Sequence, residues 1–178
     1  MGRIDLHEPA KAEVVIPGHD RNLVWGVGTA DGYLFAQYLK DAQSQIAQYD
    51  YDGKLVREVA LPAIGSVGGF DGEKEDTELY YTLTNYTSPA TIYRYDIATG
   101  VSTLYKAPEV RFDPSLFITE QVFYPSKDGP PLPMFITLRT ATTLHDKNPC
   151  LPYAPGVSHI RVTPRTSPAA LPVLAPRP

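Results

Sequence analysis

The chain has 178 residues, 43% of them apolar and 11% aromatic, with a net charge of −4 and a single cysteine. Such a composition belongs to a globular chain, and the scatter of its 16 basic residues excludes an electrostatic footprint for nucleic acid. No apolar run approaches the length of a membrane span, one cysteine excludes an internal disulfide, and the first twenty residues lack the apolar core of a signal peptide, so a cytoplasmic location is expected.

Three segments of the first 110 residues lie over one another: "RIDLHEPAKAEVVIP" (3–17), "QYDYDGKLVREVALP" (48–62) and "RYDIATGVSTLYKAP" (94–108). Asp5, Asp50 and Asp96 are 45 and 46 residues apart, and Pro17, Pro62 and Pro108 keep the same step. Each Asp is expected to bond backbone N–H groups of the turn that follows it, a structural device reused in every copy. The segment before each hairpin repeats as well, with "YLFAQYLKD" (33–41) standing 46 positions before "LYYTLTNYT" (79–87). In the latter Leu79, Tyr81 and Leu83 share one face, the period of two of a strand.

A period in the forties with about four strands per unit is the mark of a β-propeller blade. Two complete units and part of a third are present, so the expected fold is all-β, an incomplete propeller of about two and a half four-stranded blades. The repeat opens in mid-unit, from which a truncated start is expected.

After Pro108 the pattern changes. "FDPSLF" (112–117) reads as a turn-rich connection. A hairpin follows, with strands at 121–124 and 132–138 and a turn around Lys127, Asp128 and Gly129. The expected boundaries are propeller blades over 1–110, a linker over 111–119, the first strands of a second domain over 120–153 and a Pro-rich tail over 154–178.

"YPSKDG" (124–129) followed by "PMFI" (133–136) and "DKNP" (146–149) resembles the start of the peptidase domain in the prolyl oligopeptidase family. Upstream, "YLKD", "GSVGGF" (65–70), "TSPATIYRYD" (87–96) and "FDPS" stand in that family's order, and the resemblance runs from Arg3 to about Tyr153. It implies that the hairpin begins an α/β-hydrolase domain. It also implies a serine endopeptidase that cleaves short peptides after proline beneath a propeller acting as a size filter. The partners so implied are short proline-containing peptides; no cofactor and no metal is implied.

In that family the serine, aspartate and histidine of the triad lie C-terminal to this sequence, so no catalytic residue is expected here. No G-x-S-x-G elbow occurs, and Ser66 in "IGSVGG" reads as a turn between blades. His7, His19 and His145 read as surface residues. The acidic run Asp71, Glu73, Glu75, Asp76 and Glu78 lacks the Gly and bidentate Glu of an EF-hand and reads as a solvated inter-blade loop. Asn85-Tyr86-Thr87 matches a glycosylation sequon of little weight without a secretory signal.

The last thirty residues hold eight of the 18 prolines, and no acid follows Asp146. Where the family has Tyr-Gly-Tyr-Gly-Gly-Phe-Asn, this chain has Tyr153-Ala154-Pro155-Gly156-Val157-Ser158-His159. Pro155 thus occupies the position of the oxyanion-stabilising Tyr and offers neither a hydroxyl nor an N–H. Cys150, Ser158 and His159 are accidental neighbours in this reading. The tail has the composition of a GC-rich coding region read out of frame, the alternative being a disordered Pro-rich extension. Two functions fit: an inactive piece of a prolyl oligopeptidase, or a non-catalytic peptide- or protein-binding module, with self-association through open blade edges possible in either.

Overall fold

The computed structural model describes residues 1–18, 23–110, 113–145, 147–153 and 163–166. Its strands are β1 (Gly2–Ile4), β2 (Ala12–Val14), β3 (Leu23–Ala30), β4 (Tyr33–Lys40), β5 (Gln43–Asp50), β6 (Leu55–Glu58), β7 (Ser66–Gly69), β8 (Glu78–Thr84), β9 (Thr91–Asp96), β10 (Ser102–Lys106), β11 (Phe117–Pro125) and β12 (Pro131–Arg139). Strands β3 to β6 form one four-stranded sheet and β7 to β10 another, each pairing in chain order. All pairings are antiparallel. These are the two complete blades expected, and the separate β1–β2 pair is the half unit before them.

The repeated hairpins follow their turn chemistry. Asp5 Oδ1 accepts from the N–H of His7 at 2.8 Å. Asp50 Oδ1 accepts from those of Asp52 and Lys54 at 3.0 and 2.9 Å, and Asp96 Oδ1 accepts from the N–H and hydroxyl of Thr99, both at 2.7 Å. One carboxylate per copy therefore closes the turn into the outermost strand.

Burial differs between the central strands. In β8, Leu79, Tyr81 and Leu83 are buried while Tyr80 is 46% exposed, a one-sided strand as its alternation predicts. In β4, Leu34, Ala36 and Tyr38 are buried on one face and Phe35 and Leu39 on the other. The first face packs with Ile16 and Ala47, against Met1 and Val15 of the half unit. Phe35 instead joins Ala30, Ile46 and Val59 in a core shared with Phe70, Leu79, Tyr81, Leu83, Tyr95 and Ile97 of the second blade. The first blade is thus covered on both sides.

That shared core is aromatic. Phe70 stacks on Tyr81 with centroids 4.5 Å apart and meets Tyr95 edge-on at 5.4 Å, while Phe35 meets Tyr95 at 87°. A polar pair sits within it: the Tyr95 hydroxyl donates to Gln48 Oε1 at 2.8 Å, and Gln48 Nε2 donates to the Ile97 carbonyl at 3.4 Å. Both side chains are fully buried, so each satisfies a group that would otherwise be stranded.

At the inner end the backbones of the blades nearly touch. A Cβ on Gly28 would stand 1.8 Å from the Phe70 carbonyl oxygen, so only glycine fits. Nearby the Gly72 N–H donates to Thr29 O at 3.2 Å and Gln37 Nε2 donates to Gly69 O at 2.5 Å. Phe70 itself has φ +66, a left-handed backbone that a non-glycine residue adopts at a cost of about 1–2 kcal/mol.

Three expectations change. Ser66 opens β7, the first strand of the second blade, paired with Thr84; it is not in a turn between blades. The acidic run consequently joins β7 to β8 inside one blade, and Glu78 belongs to β8. A four-residue strand ending in two glycines carries too little β signal to be read alone. The hairpin after the blades also starts earlier than Gln121: β11 runs from Phe117, whose Cα pairs with Arg139. Its onset is set by a single 3-10 turn over Pro114–Leu116, capped by Asp113.

Two outcomes follow. Gly28→Ala should lower stability by about 2–3 kcal/mol through the forced backbone shift, whereas Gly26→Ala, with open space around it, should change it by less than about 0.5 kcal/mol, both read from urea midpoints. Thr99, through its hydroxyl and then its N–H, holds the Asp96 carboxyl below its ordinary value. A folded value below the unfolded one contributes stability that is present above about pH 4 and is lost as pH falls through the folded value. Asp96→Asn should therefore flatten the fall of the denaturation midpoint on the acid side, and equal slopes for parent and variant would count against this.

Candidate functional site

Residues 163–166 lie against one end of the second blade. Ser66 Oγ donates to the carbonyl of Pro164 at 2.8 Å, and Pro164 is buried. Thr166 Oγ1 lies 2.7 Å from Asn85 O and 2.6 Å from Ser88 O, on the turn between β8 and β9. In that turn Asn85 Oδ1 accepts from the N–H groups of Thr87 and Ser88 at 3.0 and 2.7 Å and from the Thr87 hydroxyl at 3.2 Å. Asn85 is 9% exposed, so the sequon is a folded turn whose side chain is occupied. Tyr86, whose hydroxyl burial pushes above its ordinary value, extends from the same turn to Phe135 of β12, 5.8 Å between centroids.

Among the described residues this place binds chain but holds no nucleophile–base pair. Nucleophilic catalysis needs a base that takes the hydroxyl proton, and Ser66 donates to a carbonyl. His7 and His145 are exposed; the N–H of Lys147 donates to His145 Nδ1 at 3.2 Å. Cys150 is exposed. His19, Asp146, Pro155, Val157, Ser158 and His159 lie outside the described residues.

The acidic run does not converge either. The Glu73 N–H donates to Asp76 Oδ2 at 2.7 Å, and Glu78 pairs with Arg94 at 3.4 Å. Among the described residues no group of three His, Cys, Asp or Glu side chains is arranged to hold a metal ion. Sequence reasoning missed a different contact, in which Gln43 and Gln121, 78 residues apart, join side chains across the blade and the hairpin. Nothing in either residue's neighbourhood marks it, because the partner is remote.

Comparison with known proteins supplies the family. Residues 1–108 match the family described as prolyl oligopeptidase, N-terminal beta-propeller domain. A prolyl endopeptidase of Elizabethkingia miricola is 48% identical over 141 residues, which is 79% of this chain and 20% of that enzyme. A solved prolyl endopeptidase structure aligns with 97% of this chain and 26% of its own at a TM-score of 0.82 and 31% identity. A second, prolyl oligopeptidase B of Galerina marginata bound to a 25mer macrocyclization substrate, aligns with 80% of this chain and 20% of its own at a TM-score of 0.66 and 27% identity. The chain spans about a fifth of the length of the relative it matches at 48% identity. With more than half of its length matched by that family and 48% identity over 79% of it to a prolyl endopeptidase, the chain belongs to the prolyl oligopeptidase family.

Proposed function

We propose that this chain is a section of a prolyl endopeptidase, comprising propeller blades over 1–110, a connection that ends before Phe117 and the first strands of the peptidase domain from Phe117 to about 153. The reading is carried by the 48% identity that spans blades and hairpin together. In the whole enzyme the reaction is hydrolysis of short peptides on the carboxyl side of proline, with the propeller restricting substrate size. Peptides are the partners this reading assigns, in keeping with the peptide-bound Galerina relative. Among the described residues no helix is long and apolar enough to cross a membrane. The cytoplasm is the location proposed.

The 178-residue chain alone is inactive in this reading, since no described hydroxyl or thiol meets an imidazole base and Pro155 brings no donor to an oxyanion. The non-catalytic binding module is the second reading, supported by the exposed Tyr80 and Tyr105 on the open side of the second blade, 4.9 Å apart and edge-on.

Two measurements test this. The purified chain should release no nitroaniline from a blocked Gly-Pro p-nitroanilide above the blank; turnover abolished by a serine-directed inhibitor would overturn its inactivity. Replacing the aligned section of the Elizabethkingia miricola enzyme by the 141 residues of this chain that align with it should leave kcat/KM on that substrate within about tenfold, as section-for-section equivalence requires. A chimera that folds cooperatively yet has lost activity would favour the binding module.

A further inference from the structure

The propeller and the hairpin meet at a turn whose backbone is at odds with its residues. The two tight turns of the first blade have the same geometry: Asp31 and Gly32 join β3 to β4 with φ +46 and +76, and Asp41 and Ala42 join β4 to β5 with φ +49 and +63. The first uses the Asp-Gly pair that such turns favour, since two positive φ values suit glycine. The second carries a Cβ in the same region, and such a residue persists where its surroundings over-determine it. Its surroundings include the hairpin. Gln121 of β11 donates from Nε2 to the Asp41 carbonyl and accepts at Oε1 from Gln43 Nε2 at 3.0 Å.

The carbonyl of Asp41 only accepts, so the orientation of the Gln121 carboxamide is fixed: its amine faces the turn and its oxygen faces Gln43. Both ends of one side chain are engaged by residues on either side of Ala42. Neither a carboxylate, with no hydrogen to donate, nor an apolar side chain of equal length satisfies both positions. A further contact of the hairpin with the blades, Tyr86 against Phe135, is aromatic and fixes no register.

We propose that Gln121 is the residue that seats the hairpin on the propeller, through a carboxamide clamp on the β4–β5 turn of the first blade. The surface it recognises is the turn itself, a carbonyl and a carboxamide presented by a left-handed backbone. The clamp is independent of the reaction proposed for the whole enzyme.

Hydrogen–deuterium exchange on the full 178-residue chain tests the clamp. Gln121→Glu keeps the acceptor but sets a carboxylate against the Asp41 carbonyl. It should speed exchange at least tenfold in peptides covering 41–44 and 117–125 and leave 78–96 unchanged. Gln121→Met should do the same, whereas Ala42→Gly, which relaxes the turn without touching the clamp, should keep the protection of 117–125. Unchanged exchange in 41–44 and 117–125 for both Gln121 variants would overturn the proposal. So would loss of protection across 78–96, because Gln121 would then be a determinant of the whole fold.

Discussion

The contact on which the molecule depends is the meeting of two backbones at Gly28 and Phe70. With no side chain on Gly28, the end of β7 comes close enough to β3 for Gly72 to bond to Thr29 and for Gln37 to reach Gly69. This brings the ring of Phe70 between Phe35, Tyr81 and Tyr95, where it closes the core that the two blades share. The left-handed backbone at Phe70 is the cost of aiming that ring inward, and full burial of a Phe offsets it by about 1.5–3 kcal/mol. Each sheet then contributes a face to a joint core instead of closing one of its own.

The difference between β4 and β8 follows from this arrangement. A strand flanked on both sides is apolar on both faces, and β4 is; a strand with one flank is apolar on one, and β8 is. The open side of the second blade mixes the Tyr80–Tyr105 pair with polar groups. It presents Tyr80, Thr82, Arg94 and Thr103, with Arg94 paired to Glu78, so solvent is tolerated there. Among the described residues, the segments after Leu116 engage the blades at the β4–β5 turn of the first, at the β8–β9 turn of the second and at Ser66 of β7.

Legibility in the sequence tracked locality. Asp5, Asp50 and Asp96 were readable because an Asp and the N–H groups it caps lie within four residues, and the chemistry repeats at a fixed step. Leu79, Tyr81 and Leu83 were readable because one-sided burial leaves an alternation. By contrast β7 was hidden, since Val67 alone carries its strand preference. Ser66 was misplaced for the same reason: with β7 unseen, the space between two hairpins looked like a connection. Gln48 and Gln121 were invisible, as their roles arise from partners 47 and 80 residues away on other sheets. The family resemblance was carried by short motifs in order, which survive even where no single motif states its purpose.

One buried hydrogen bond gives the repeat units individual addresses. Tyr49 and Tyr95 hold the same place, one residue before the turn Asp of their blades, yet the Tyr49 hydroxyl pairs with Tyr38 of its own blade at 3.0 Å while that of Tyr95 crosses to Gln48. The residue of the second blade that corresponds to Gln48 is Arg94, which faces solvent and Glu78. A shuffled order of blades would therefore strand the Tyr95 hydroxyl or the Gln48 carboxamide in an aromatic core, at about 1–3 kcal/mol for each unpaired group. Copies that share an outline are in this way kept from trading places, and the propeller inherits a fixed sequence of seams from chemistry that its outline does not record.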